Sequence, residues 1–116
     1  MSRGKAEEAR LQAKCVIWLW NERPQTRSCF ILIDNNATHM IAAMQKRSMG
    51  MIGGAADTFF FWNKKLYFFE FKFGGNKQSP AQKAFENVAK VHSSGYFLVY
   101  SFEYFCSTID QILAQD

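Results

Sequence analysis

Asp57, Glu70 and Lys72 are the residues whose types and spacing could do chemistry. Two runs rich in aromatic residues, 57–62 and 65–72, flank Asn63 and Lys64 and predict a β-hairpin with a polar tip. A turn centred between Asn63 and Lys64 sets Trp62 opposite Lys65, Phe60 opposite Tyr67 and Asp57 opposite Glu70. Directly opposed residues share a face, with Cβ atoms about 4.5–5.5 Å apart, and strand alternation brings Lys72 to that same face. Two opposed carboxylates repel unless something positive sits between them. A divalent cation ligated by oxygen suits that position, since carboxylates and waters are what Mg²⁺ accepts. Phe59, Phe61, Leu66 and Phe68 share the face, so the acids stand at the end of an apolar surface, an expensive place for unpaired charge. The same residues also fit a hairpin whose charges simply face water at the rim of a sheet. A turn shifted by half a residue pair would put Asp57 and Glu70 on opposite faces.

The elements that must position these residues can be read along the chain. Residues 5–21 are good helix formers leading into an apolar end, with Glu8, Leu11, Gln12, Cys15, Trp18 and Leu19 on one stripe. Glu8 therefore belongs to the inward side and Glu7, about 100° away, to solvent. Glu8 has an equally simple explanation as an acid in the first turn, beside the positive end of the helix dipole. Pro24 breaks the loop that follows, and residues 29–33 form a continuous apolar run that predicts a strand buried on both faces. Residues 37–49 fit a helix or a partly ordered loop, and Gly50, Gly53 and Gly54 then allow a turn into the hairpin. Ser79, Pro80 and Gln82 predict a helix start with Ser as cap, Pro at the first position and Gln closing a capping box. That helix runs to about His92 with Phe85, Val88 and Ala89 inward. Residues 96–100 predict another buried strand and 102–115 a last helix. The expected fold is α/β, a mixed α+β sheet flanked by helices on both faces. Thr58, Phe60, Trp62, Tyr67, Phe69 and Phe71 form a second apolar face of the hairpin, which needs either helices over it or a second copy of the chain.

The composition narrows the classes of function. At 116 residues, 48% apolar and with twelve Phe, the chain predicts one globular domain spanning 1–116. A net charge of +4 and a pI near 9.1 are consistent with a polyanionic partner. Lys46, Arg47, Lys77 and Lys83 are the candidate nucleic-acid contacts, although adjacent basic residues also fit a merely solvated surface. Cys15, Cys29 and Cys106 are odd in number and lie in apolar runs, which predicts buried thiols in a reducing, cytoplasmic setting rather than a disulfide frame or zinc set. No apolar run approaches 18 residues, which argues against a membrane span, and the polar N-terminus argues against a signal peptide.

An acid on the first helix, Asp57 starting a hairpin, Glu70-Phe71-Lys72 on its second strand and then a Gln-bearing helix resemble the PD-(D/E)xK nuclease superfamily. More narrowly they are similar to its virus-type replication-repair nuclease (VRR-NUC) domain, whose small stand-alone members occur in bacteriophages. The likeness extends from Glu8-Ala9-Arg10-Leu11-Gln12 through Gly53-Gly54-Ala55-Ala56-Asp57 and Glu70-Phe71-Lys72 to Ser79-Pro80-Ala81-Gln82. The family's Pro before the Asp is Ala56 here, and Glu8 rather than Glu7 matches the step to the Leu-Gln pair. The resemblance implies a restriction-endonuclease-like αβββαβ core and a Mg²⁺- or Mn²⁺-dependent endonuclease acting on DNA. It further implies branched or structured DNA as substrate, a homodimer or higher homo-oligomer, and the host cytoplasm if the chain is phage-encoded. Asp57, Glu70 and the Phe71 carbonyl would hold the metal, with Glu8 acting through water or on a second metal. Lys72 would serve the attacking water, and Gln82 would position Lys72 or the phosphate. The alternative expectation is a DNA-binding module that keeps this fold without cutting.

Overall fold

The computed structural model describes residues 2–37 and 39–115. Helix α1 (Arg3–Glu22) is followed by a 3-10 turn (Pro24–Thr26), strand β1 (Phe30–Leu32) and helix α2 (Met40–Ser48). The hairpin strands β2 (Thr58–Trp62) and β3 (Lys65–Phe71) come next, then helix α3 (Pro80–His92), strand β4 (Gly95–Val99) and helix α4 (Phe102–Leu113). The four strands form one mixed sheet in the order β1-β2-β3-β4, antiparallel except for the parallel pair β3–β4. Leaving out α2 and α4, the elements run α-β-β-β-α-β.

The hairpin register follows from its turn. Asn63 and Lys64 both have positive φ, 51° and 65°, the twist that a two-residue loop needs to match two right-twisted strands. Trp62 therefore opposes Lys65, Phe60 opposes Tyr67 and Thr58 opposes Phe69, the pairing expected from the sequence. Each face of the sheet carries helices. Phe60, Tyr67, Phe69, Phe71 and Val99 pack against Cys15 and Leu19 of α1 and Phe105, Ile109 and Ile112 of α4. Burying each of these Phe side chains stabilises the fold by roughly 1.5–3 kcal/mol. Phe105 stands edge-on to Phe30 and to Phe69, at centroid distances of 5.7 and 5.3 Å. Arg23, just past α1, donates from Nε and Nη2 to both oxygens of Asp110 on α4, at 2.8 and 2.9 Å. The opposite face carries a smaller cluster of Ala56, Phe68, Tyr96 and Leu98 against Phe85 and Ala89 of α3.

Of three local expectations, two change and one is narrowed. Strand β1 is not buried on both faces: it pairs only with β2, at the sheet edge, and Ile31 and Leu32 are exposed. Residues 37–49 contain α2, whose first turn is capped by the His39 ring nitrogen accepting from the Ala42 N–H at 3.3 Å, while Thr38 lies outside the described residues. Val88 points to solvent, because Phe85 and Ala89 already occupy the narrow strip of α3 that meets the sheet. The face predicted to need either helices or a second copy is closed by α1 and α4. All three cysteines are free thiols, with Cys15 fully buried and its thiol pushed up to about 12, first by burial. No helix among the described residues is long and apolar enough to cross a membrane.

Candidate active site

The edge of the sheet where β2 begins and β3 ends carries the acids. β2 starts at Thr58, so Asp57 stands just outside the backbone ladder, and its side chain replaces the missing backbone partner. Asp57 Oδ2 accepts from the Phe71 N–H at 2.8 Å, and the Asp57 carbonyl accepts from the Ile33 N–H at 2.9 Å. The approach to Asp57 is pinned from two sides. Asn35 Nδ2 donates to the Ala55 carbonyl at 2.7 Å. Gly54, at φ +83°, lies so close to α3 that a Cβ there would sit 2.4 Å from the Ala81 carbonyl carbon and oxygen. Only glycine accepts both that φ and that contact.

Glu70 is 1% exposed, on the penultimate residue of β3. Its Oε1 accepts from the Tyr96 hydroxyl at 2.8 Å, whereas its Oε2 is buried without a hydrogen-bond partner. Lys72 Nζ is 3.7 Å from that oxygen, an ion pair too long for a hydrogen bond. The ammonium is held elsewhere: it donates to Gln82 Oε1 at 2.9 Å and, more weakly, to the Lys77 carbonyl at 3.4 Å. Gln82 Oε1 also accepts from the Ser79 N–H at 2.8 Å, while the Gln82 N–H donates to Ser79 Oγ at 3.2 Å. The capping box that starts α3 thus also anchors Lys72.

The charges are strained electrostatically. Burial pushes the Asp57 carboxyl above the usual carboxylate range; the Phe71 N–H opposes this, the Glu8 charge adds to it and Lys72 lowers it. Burial likewise pushes the Glu70 carboxyl up against the hydrogen bond from Tyr96, with the Asp57 charge raising it further and Lys72 lowering it. Burial first, and the bond to Glu70 second, hold the Tyr96 phenol well above its ordinary value, so it remains a donor.

Glu8 joins this site and Glu7 does not. A groove of about 590 Å³ is lined by Lys5, Glu8, Gln12, Asn35, Asp57 and Gln82, among others. Glu8 Oε2 accepts from Asn76 Nδ2 at 3.1 Å, while Glu7 pairs with Arg10. The groove thus collects Glu8, Asp57 and Gln82, and Asp57 connects through its charge to Glu70 and Lys72. The candidate nucleic-acid contacts behave differently from one another. Lys46 Nζ is engaged by Asp34 at 3.0 Å and by the Asn36 carbonyl at 2.6 Å, which ties α2 to the loop lining the groove. Arg47, Lys77 and Lys83 are exposed.

No family model, curated protein or solved structure matches this chain. Among the described residues no three His, Cys, Asp or Glu side chains form a metal-holding group. A Mg²⁺ or Mn²⁺ set here would rest on two carboxylates, Asp57 and Glu70, completed by the Phe71 carbonyl and waters, one of which Glu8 could hold. That is an ordinary composition for Mg²⁺, which keeps several waters. The residues fit such an ion: Glu70 Oε2 is a buried carboxylate oxygen without a hydrogen bond, and a cation would relieve both its desolvation and the repulsion from Asp57.

Sequence reasoning missed Tyr96, Asn76, Lys5 and Asn35. Tyr96 is 26 residues from Glu70 and is delivered by parallel pairing of β3 with β4, for which short-range patterns carry no signal. Lys5 alone had one, since it lies three residues before Glu8 and so on the same face of α1.

Proposed function

We propose that this protein is a metal-dependent DNA endonuclease that hydrolyses phosphodiester bonds, with Asp57, Glu70 and Lys72 as its catalytic centre. The observation that carries the reading is the buried, unpartnered Glu70 Oε2 beside Asp57, with Lys72 held by Gln82 next to it. An ionised acid in that position burdens the fold, since Lys72 offsets it only from 3.7 Å, and a bound cation would relieve it. A bound Mg²⁺ or Mn²⁺ would supply charge to the scissile phosphate and acidify a water. Lys72, fixed by Gln82 and the Lys77 carbonyl, would orient the attacking water and offset charge developing on the phosphate oxygens. Glu8, across the groove, would order a further water or a second ion. Lys5, Arg47, Lys77 and Lys83 would meet the DNA backbone, while Lys46 would act by shaping the 34–36 loop.

The resemblance to VRR-NUC domains supports branched or structured DNA as the substrate and a phage setting. The three free thiols support a reducing compartment, the cytoplasm. Exposed Val16, Ile17, Trp20, Ile31 and Leu32 along α1 and the edge strand support a homodimer or higher homo-oligomer. Loss of self-association in Leu32→Glu, measured by sedimentation, tests that point.

Cleavage of plasmid and four-way-junction DNA by wild type and Lys72→Ala, in Mg²⁺, Mn²⁺ or EDTA, tests the function. Metal-dependent cutting by wild type alone is the expected result, and faster junction than plasmid cleavage would define the substrate. Retained binding with no cutting under any condition would instead indicate a non-catalytic DNA-binding module. Failure to bind nucleic acid at low salt would exclude both.

A further inference from the structure

We infer that Tyr96 is a positioning residue that sets the metal affinity of the site by holding one oxygen of Glu70 and turning the other toward the cation. The inference rests on the nuclease reading above. Tyr96 lies on β4 opposite Phe68 of β3, in the parallel pair, so its ring shares the acid-bearing face of the sheet. The ring is fixed by Phe85 of α3, at a centroid distance of 6.3 Å, and the residue is 7% exposed. Its hydroxyl has two neighbours with different demands. Gln78 Nε2 donates to the hydroxyl oxygen at 3.3 Å, which leaves the hydroxyl proton for Glu70 Oε1 at 2.8 Å.

A carboxylate on a flexible stem can turn either oxygen to a cation, and each unconstrained rotor weakens binding by the entropy of fixing it. Here the Gln78–Tyr96–Glu70 chain occupies Oε1 and directs Oε2, which has no hydrogen-bond partner, to the side where Lys72 stands. The loss of the hydroxyl should therefore act on metal affinity first and on turnover second.

Mn²⁺ binding to the full chain, measured by isothermal titration, is compared in wild type, Tyr96→Phe, Gln78→Ala and Glu70→Gln. Cleavage is followed in parallel across a Mg²⁺ series. Tyr96→Phe keeps the ring against Phe85 and removes one oxygen. It should weaken Mn²⁺ about ten-fold and shift the half-saturating Mg²⁺ upward by a similar factor, with turnover recovering at high Mg²⁺. Recovery at saturating metal is a result that a merely packing role of the hydroxyl would not give. Gln78→Ala reaches the same bond from the surface loop and should weaken Mn²⁺ by a smaller factor, so the test survives if Tyr96→Phe folds poorly. Wild-type Mn²⁺ affinity in both Tyr96→Phe and Gln78→Ala, with binding lost in Glu70→Gln, overturns the role of Tyr96 and leaves the metal site standing. Undiminished binding in Glu70→Gln, or no binding by wild type, overturns the metal site itself and this inference with it.

Discussion

Replacing Glu70 by Gln should make the metal-free protein more stable while abolishing cleavage. The ionised side chain is almost fully buried, has one oxygen without a partner, and faces the Asp57 charge. Lys72 compensates only from 3.7 Å, because its ammonium is drawn aside by the Gln82 side-chain oxygen and the Lys77 carbonyl. Glutamine keeps the oxygen that accepts from Tyr96 and removes the charge. An unpartnered buried polar group costs about 1–3 kcal/mol, and the new amide N–H₂ returns part of that. The net gain is then about 1 kcal/mol, a rise in Tm of ~4 °C for a chain of this size. The sign depends on pH. Because the folded-state Glu70 and Asp57 carboxyls lie above their ordinary values, the metal-free wild type loses stability as pH rises from the carboxylate range through those values. The advantage of Glu70→Gln should therefore be present at about pH 7.5 and vanish toward about pH 3, where wild-type Glu70 is protonated in both states. Urea unfolding in EDTA at the two pH values measures it. Adding Mn²⁺ at ten times its Kd should stabilise wild type alone, by about 1.4 kcal/mol, and reverse the order. A Glu70→Gln protein less stable than wild type in EDTA at neutral pH would refute the claim that this charge burdens the fold. Equal stabilisation of both by Mn²⁺ would refute the metal site.

Three further outcomes separate scaffold from chemistry. Gly54→Ala forces a Cβ into the Ala81 carbonyl at a positive φ, so it should lower stability by about 2 kcal/mol or more and cut cleavage by displacing Asp57, as read by thermal melts and rates on the same preparation. Lys64→Gly relieves a left-handed residue at the hairpin tip and should stabilise by about 1 kcal/mol with an unchanged cleavage rate; a loss of stability would mean that the turn is not of this type. Ser79→Ala removes the cap of α3 and should cost about 1 kcal/mol while largely sparing the rate, since the Gln82 oxygen still holds Lys72. Gln82→Ala should cost a similar stability and a much larger share of the rate. Identical rate losses in the two variants would show that the cap, not the Lys72 contact, matters.

The local chemistry of the chain was legible in its sequence wherever near neighbours decide it. Asn63 and Lys64 form a two-residue turn, and a turn of fixed length sets the register of the strands beside it, so the opposition of Phe60 to Tyr67 and of Thr58 to Phe69 follows. Ser79, Pro80 and Gln82 likewise determined where α3 begins, because a cap is satisfied within four residues. Alternation correctly divided the hairpin into two apolar faces, but it could not say which helices cover each. Only the tertiary structure decided that β1 is an exposed edge, since the apolar run at 29–33 reads the same for a central strand as for an edge strand awaiting a partner. The helical stripe already set Glu8 rather than Glu7 on the inward side, and the structure adds that Glu8 lines the groove with Asp57. The parallel pairing of β3 and β4 brings Tyr96 to Glu70 across 26 residues, and a hydrogen bond made by a crossover leaves no periodic trace in either strand.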